Sequence, residues 1–451
     1  MDGRTETSFV NMFGGSPLNR LSWLRTSHHF LNAVITLPQT RWLLFNTGQP
    51  LVVFNPSTPN IRAQPGYLTT SEVTPLLGLR PYFGQGQKVG TIVPDEVNNV
   101  RHSPTEAARH YPQSRPIVFL GVHEKIAHSD VAAALPTAEF SSPDFAIETI
   151  KRLDGTPYFA MEVADLVEDG QFTEERVLGL FKESSQGKEG KVFSWSEPRA
   201  LLSGLDPFTA AVFASAKSLV DWNYRNKFCP GCGSDNTGKR PCPSGKGLHN
   251  YTHPRTDAVV IMIAIDETGN KVLLGRGRKF PGKFYSALAG FIEPGESFED
   301  AVSREMWEEA GVRVWNVQYH SGQPWPYPAN LMVGFYARAD STQPIRMDLD
   351  NELVDARWYT REEILAVLNH KSGTYFSSRD YKQLGDSLEG KQDDPNVKAL
   401  APGANVNGAK PVIDEPPFKL PPVTAIAGVL IRDWAEGKIG FGTKQSVGPS
   451  L

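Results

Sequence analysis

The stretch GFIEPGESFEDAVSREMWEEAGV, residues 290–312, carries the local signals from which the fold is read. Ser297 with Asp300 is a pairing that closes the first turn of a helix, and Gly311 readily adopts the left-handed conformation that ends one. A loop, a helix and a loop are expected. At about 100° per residue, Phe298, Ala301, Val302 and Met306 form an apolar stripe, and Glu305, Glu308 and Glu309 interleave with it. A solvated acidic helix would place them on the opposite side. Carboxylates crowded beside a core repel one another and lose hydration, so something positive must share their site, and a divalent cation is the simplest candidate.

Around that helix the chain alternates strands and helices. AVVIMIAI (258–265) reads as a fully buried strand, with KVLLG (271–275) as its partner across a turn. LMVGFYAR (331–338) and ELVDARWYT (352–360) read as further strands, and Thr360 with Glu363 caps a helix through REEILAVLN. Residues 371–418, rich in Gly, Ser, Asp, Asn and Pro, read as a flexible insertion, followed by a Pro-initiated amphipathic helix in LPPVTAIAGVLIRDWAEG. Upstream, RWLLFNTGQPLVVF and RPIVFLGV suggest strands of a mixed α/β domain. Asp206 and Pro207 start a helix that ends at a boundary near residue 225.

At 451 residues the chain exceeds one compact core. Its 40% hydrophobic and 21% charged residues describe an ordinary globular protein. A formal charge of -4 argues against strong nonspecific nucleic-acid or membrane binding, although RGRK (276–279) offers a local basic patch for phosphate. Neither a long apolar span nor a signal-peptide layout is apparent, so an intracellular location is expected.

Gly290, Glu296, Arg304, Glu305, Met306, Glu308, Glu309, Gly311 and Val312 together match the Nudix box, and the chain resembles Nudix hydrolases. The resemblance implies an α/β (α+β) architecture. A Nudix α/β/α sandwich over 255–440 would follow a zinc-ribbon-like segment at 226–254 and an N-terminal mixed α/β domain at 1–225. It implies magnesium or manganese at Glu305, Glu308 and Glu309, one of which also serves as base, with Glu352 and Ala289 beside the ion. Arg304 and Glu296 would brace the loop. Hard oxygen ligands shared with substrate phosphates suit such an ion.

QPWPYPAN (323–330) follows the box and is similar to the SQPWPFPxS signature of NADH pyrophosphatases. Gly322, Tyr327 and Asn330 stand where that signature has Ser, Phe and Ser. Tyr keeps an aromatic face and Asn a polar group. The resemblance implies substrate contacts from Gln323, Pro324, Trp325, Pro326, Tyr327, Pro328 and Asn330, with Phe291 stacking on a base and Ala427 offering a backbone contact. A polyproline ligand or a rigid turn is the competing reading.

Cys229, Cys232 and Cys242 are the only cysteines, and Cys229-Pro-Gly-Cys232-Gly has the shape of a zinc knuckle. Relatives carry a four-cysteine ribbon there. Here the fourth ligand falls to His249 or His253, to a water or to nothing, leaving a structural zinc, a vestigial ribbon or redox chemistry open. The resemblance implies hydrolysis of NAD(H) to nicotinamide mononucleotide and AMP by a homodimer, with NAD-capped RNA as a second substrate. Hydrolysis of ADP-ribose or another nucleoside diphosphate is an alternative. So is a non-catalytic NAD sensor, although such a protein would be expected to lose a box glutamate. The tail Pro449-Ser450-Leu451 lacks the small-then-basic pair of the peroxisomal address, so a cytoplasmic location is expected with the peroxisome left open.

Overall fold

The computed structural model describes residues 11–57, 63–83, 117–124, 148–226, 254–376 and 416–440, apart from single or paired positions inside those spans. Cys229, Cys232, Cys242, His249 and His253, residues 377–415 of the expected insertion and the C-terminal tripeptide lie outside the described residues. The chain divides into an N-terminal unit, Gly15–Thr256 with Trp325–Ala329, and a C-terminal unit, Met1–Gly14 with Asp257–Pro324 and Asn330–Leu451.

In the N-terminal unit, β1 (Arg41–Asn46) and β2 (Gln49–Phe54) form a hairpin. Its two-residue turn holds Thr47 at φ 47° and Gly48 at φ 75°, the left-handed pair that a tight hairpin favours. With β3 (Gln64–Pro65), β4 (Ile117–Glu124), β5 (Gly155–Glu162) and β6 (Val192–Trp195), the sheet order is β3-β2-β1-β5-β4, with β6 against β2. Trp42 and Leu44 share one core with Phe30 of α1 (His28–Val34), Val73 and Leu76 of α2 (Thr70–Leu77), and Phe159. On the other face Phe45 meets Phe213 of α3 (Pro207–Arg225), ring centres 6.2 Å apart. Asp206 caps α3 by accepting from the Thr209 amide at 3.0 Å.

The C-terminal unit holds β7 (Asp257–Ile265), β8 (Lys271–Gly277), β9 (Leu288–Phe291), β10 (Val314–Trp325), β11 (Asn330–Ala339) and β12 (Leu353–Thr360). Their order is β10-β11-β7-β8-β12, with β9 also on β7. Successive side chains of a strand point to opposite faces, and β7 serves two cores in this way. Val260, Met262 and Ala264 pack with Ala301, Val302, Met306 and Ala310 of α4 (Phe298–Ala310). Ile261, Ile263 and Ile265 pack with Ile364 and Val367 of α5 (Arg361–Leu368) and with α6 (Ile426–Ala435). The result is an α/β/α sandwich with a central strand buried on both faces.

Three details refine the sequence expectations, and KVLLG is indeed an antiparallel neighbour of β7. KVLLG touches β7 in register only at Ile265↔Val272, because β9 occupies Val259 to Met262; its long pairing is with β12, from Lys271↔Thr360 to Gly277↔Leu353. The C-terminal helix starts at Ile426, after the prolines, and buries every residue except Arg432 and Asp433, so its polar face is narrow. Phe298 is 43% exposed and leaves the apolar stripe of α4 at its first residue. Among the described residues, no helix is long and apolar enough to cross a membrane.

Candidate active site

The helix α4 is fixed at both ends. Ser297 and Asp300 form the reciprocal capping box, and Gly311, at φ 66°, ends the helix. Arg304 then ties the preceding loop to the helix. Its Nε and one terminal nitrogen grip both oxygens of Glu296, at 2.5 and 2.9 Å, and the same nitrogen reaches the Phe291 carbonyl at 2.8 Å. The other nitrogen bonds Glu305 at 2.8 Å and Glu308 at 2.9 Å. This two-pronged grip uses the planar guanidinium fully. Arg304, followed by the Glu293 amide, pulls the Glu296 carboxyl down to about 2.

Gly290 has a steric role. A Cβ there would lie 1.9 Å from the Glu305 carboxyl carbon, so only glycine lets that carboxylate rest on the β9 backbone. Glu309 is 4% exposed and accepts from the Ala289 amide at 3.2 Å. Burial first, and then Glu305, Asp350 and Glu352, push its carboxyl up to about 9. Arg304 therefore balances Glu296, Glu305 and Glu308, whereas the negative charge around Glu309 has no comparable cation in these contacts.

The three helix glutamates are not equivalent. Glu308 has a side chain 45% exposed and bound to Arg304, against 12% for Glu305. No group of three or more His, Cys, Asp or Glu among the described residues is placed by itself to hold a metal ion. Such an arrangement suits magnesium or manganese, which share substrate phosphates and water with a few carboxylates. Buried, under-served carboxylate oxygen at Glu309 fits such an ion. Asp350, which the sequence reading did not single out, belongs to the same acidic group; its carboxylate accepts from the Glu352 amide at 3.0 Å. Glu352 is exposed. Ala289 contributes its amide to Glu309.

Phe291, at the end of β9, is 57% exposed and free to present a ring face. QPWPYPAN is a strand end, a turn and a strand start. Gln323, Pro324 and Trp325 close β10; the first two belong to the C-terminal unit, Trp325–Ala329 to the N-terminal unit, and Asn330 opens β11. Pro326 is buried and Pro328 exposed. The Trp325 and Tyr327 rings meet edge to face at 5.1 Å, and Arg199 lies 4.7 Å from the centre of the Tyr327 ring. Gln323, expected at the substrate, is fully buried and bonded to the Met12 and Thr424 carbonyls and the Ile426 amide. Ala427 is 5% exposed in the first turn of α6.

Residues 254–378 match the NUDIX domain, and residues 39–222 match the NADH pyrophosphatase-like rudimentary NUDIX domain. The Schizosaccharomyces pombe protein named NAD-capped RNA hydrolase is 33% identical over 382 residues, covering 80% of this chain and 86% of that one. NAD-capped RNA hydrolase NPY1 of Saccharomyces cerevisiae is 28% identical, covering 81% and 89%. NAD-capped RNA hydrolase NUDT12 of Homo sapiens is 49% identical over 181 residues, which is 38% of this chain and 39% of the human protein's own length.

Proposed function

Since the chain belongs to the Nudix family, in the branch that joins a NUDIX domain to an NADH pyrophosphatase-like one, we propose that it hydrolyses the pyrophosphate bond of NAD(H) to nicotinamide mononucleotide and AMP. The same bond at an NAD-capped RNA 5′ end is the second proposed substrate, by kinship with relatives that carry that name. The observation behind the chemistry is Glu309, a buried carboxylate on the box helix with one backbone donor and acidic neighbours.

In this reading Glu305 and Glu309 hold magnesium or manganese, with Glu352 and Asp350 alongside. When bound, the ion neutralises phosphate charge and acidifies the attacking water. Arg304 keeps Glu305 aimed and holds the Phe291–Glu296 loop in place. One of the three helix glutamates takes the proton from that water, and Glu308 is the most exposed of them. By resemblance, Phe291 offers a flat surface for a base, Asn330 a polar contact and Ala427 its amide; Trp325 and Tyr327 each offer an aromatic face of their own. Incubation with NADH and Mg²⁺, followed by chromatography, should yield nicotinamide mononucleotide and AMP in equal amounts. Turnover of ADP-ribose but not NADH would remove the dinucleotide assignment, and no turnover of either would leave a binding protein.

Two further assignments belong to the same reading. Cys229, Cys232 and Cys242, with His249 or His253, hold a structural zinc, for which elemental analysis should find about one atom per chain. The protein works as a homodimer, which sedimentation of the full chain tests.

A further inference from the structure

Gln323 has spent its hydrogen-bonding capacity inside the protein. Its amide nitrogen donates to the Met12 carbonyl at 3.2 Å and the Thr424 carbonyl at 3.0 Å, and its oxygen accepts from the Ile426 amide at 2.8 Å. A glutamine amide has two N–H groups and one oxygen, so each of these groups is engaged. The side chain is 0% exposed. Recruiting it to a ligand would strand the buried Ile426 amide and break the bonds to the Met12 and Thr424 carbonyls, at a cost larger than one new hydrogen bond returns.

The surroundings are built for the same tie. Asn11, one residue before Met12, donates from its side chain to the Ser321 hydroxyl and the Gly322 carbonyl, both at 2.9 Å. The N-terminal segment and the end of β10 are thus bonded in both directions. On the other side, Gly334 of β11 lacks a Cβ that would lie 2.9 Å from Ile426 Cδ1, so the start of α6 rests directly on the strand. Three pieces of chain far apart in sequence meet at one amide, and the residue after next, Trp325, is where the chain leaves the C-terminal unit.

We propose that Gln323 is a positioning residue: it seats the end of β10 between residues 11–12 and the first turn of α6, fixes where Trp325 and Tyr327 begin, and never touches the dinucleotide. The inference rests on the reading of those two rings as base-binding. A signature glutamine beside aromatic residues looks like a ligand contact in sequence; its burial gives it the different task of setting the register of the aromatic turn.

The test uses the full chain carrying Gln323→Met, which removes all three bonds, and Gln323→Glu, which keeps an acceptor for Ile426 and loses both donors. Deuterium exchange of the segment 424–430 without substrate is measured beside kcat and KM for NADH and for ADP-ribose. In Gln323→Met, exchange at the start of α6 should quicken about 10-fold, as expected for one lost hydrogen bond. KM for NADH should rise by about 10-fold with a much smaller change in kcat, and kcat/KM should fall several-fold more for NADH than for ADP-ribose. Gln323→Glu should lie between wild type and Gln323→Met, and it carries the test if Gln323→Met does not fold. Unchanged exchange would overturn the proposal, since the bonds would then hold nothing. Equal losses on both substrates would also overturn it by reducing Gln323 to a structural residue. A wild-type protein inactive on NADH would remove the dinucleotide reading and the role built on it, whatever the exchange result.

Discussion

Glu162 in the N-terminal unit and Glu309 in the C-terminal unit are each 4% exposed, yet the protein treats them in opposite ways. Glu162 sits at the end of β5 and accepts four backbone N–H bonds: Thr47 at 2.9 Å, Gly48 at 3.0 Å, and Val163 and Ala164 at 3.1 Å. Buried Lys217 lies near the same turn and contributes favourably placed charge. Glu309 receives the Ala289 amide and faces Glu305, Asp350 and Glu352. Burial pushes both carboxyls up, but backbone donors counter it at Glu162 while acidic neighbours add to it at Glu309. A buried charge is tolerable only when compensated. One unit supplies that compensation itself; in the other, the proposed ion would supply it.

Glu309→Gln should produce the largest effect. Removing the charge should lower kcat on NADH by roughly 10³-fold, about 4 kcal/mol of transition-state stabilisation. The fold should survive, and the melting temperature measured without metal near neutral pH should hold or rise, because an amide avoids the cost of protonating a carboxyl that burial and its acidic neighbours push up to about 9. Wild-type turnover by the folded variant across a magnesium titration would break the comparison at its active half.

Glu162→Gln should give the mirror image. A single amide oxygen must then serve four backbone donors, and its NH₂ group meets N–H groups. Unsatisfied buried donors cost about 1–3 kcal/mol, so urea denaturation should show a loss of that order. The kcat/KM of the folded protein should stay within about twofold. A large loss of activity with unchanged stability would make Glu162 part of the chemistry and erase the contrast.

The contrast was half legible in the sequence. Capping residues and glutamate spacing are local, so α4, its ends and the interleaving of Glu305 and Glu309 with the apolar face could be read directly. Glu308 could not be separated from them, because its exposure and its bond to Arg304 depend on how the loop folds back. Glu162 gave no signal: its partners at Thr47 and Gly48 lie 115 and 114 residues away. Asp350 lies in a run of acids whose relation to α4 emerges only in three dimensions. Strand β10 was missed because most of its first half is exposed and Gly322 and Pro324 interrupt its second half. The burial of Gln323 gave no signal either, because its partners Met12, Thr424 and Ile426 lie about a hundred residues or more away in sequence.

The aromatic turn is where the N-terminal unit includes a piece of the C-terminal sequence. Tyr327→Ala removes a ring proposed to act on a base far from the scissile bond. Stacking on one base is worth about 1–3 kcal/mol, so kcat/KM for NADH should fall by roughly 5- to 150-fold, with a much smaller change for ADP-ribose. Equal losses would mean that the segment only supports the fold.

Arg199 separates the ring from its placement. Its guanidinium covers Tyr327 at 4.7 Å, Glu197 holds it at 3.3 Å, and the Tyr327 hydroxyl donates to the neighbouring Pro198 carbonyl at 3.4 Å. With the Arg199 side chain 12% exposed, the cation is partly desolvated over the ring. Such a contact contributes about 0.5–2 kcal/mol. If that contact keeps Tyr327 in place, Arg199→Ala should lower kcat/KM for NADH by roughly 2- to 30-fold, less than Tyr327→Ala because the ring itself remains. Arg199→Lys should recover part of the loss, since an ammonium still attracts the ring face but cannot match the planar guanidinium. In the Tyr327→Ala background, Arg199→Ala should add almost nothing, because its partner is gone. Additive losses in the double variant would show that Arg199 acts on something other than the Tyr327 ring.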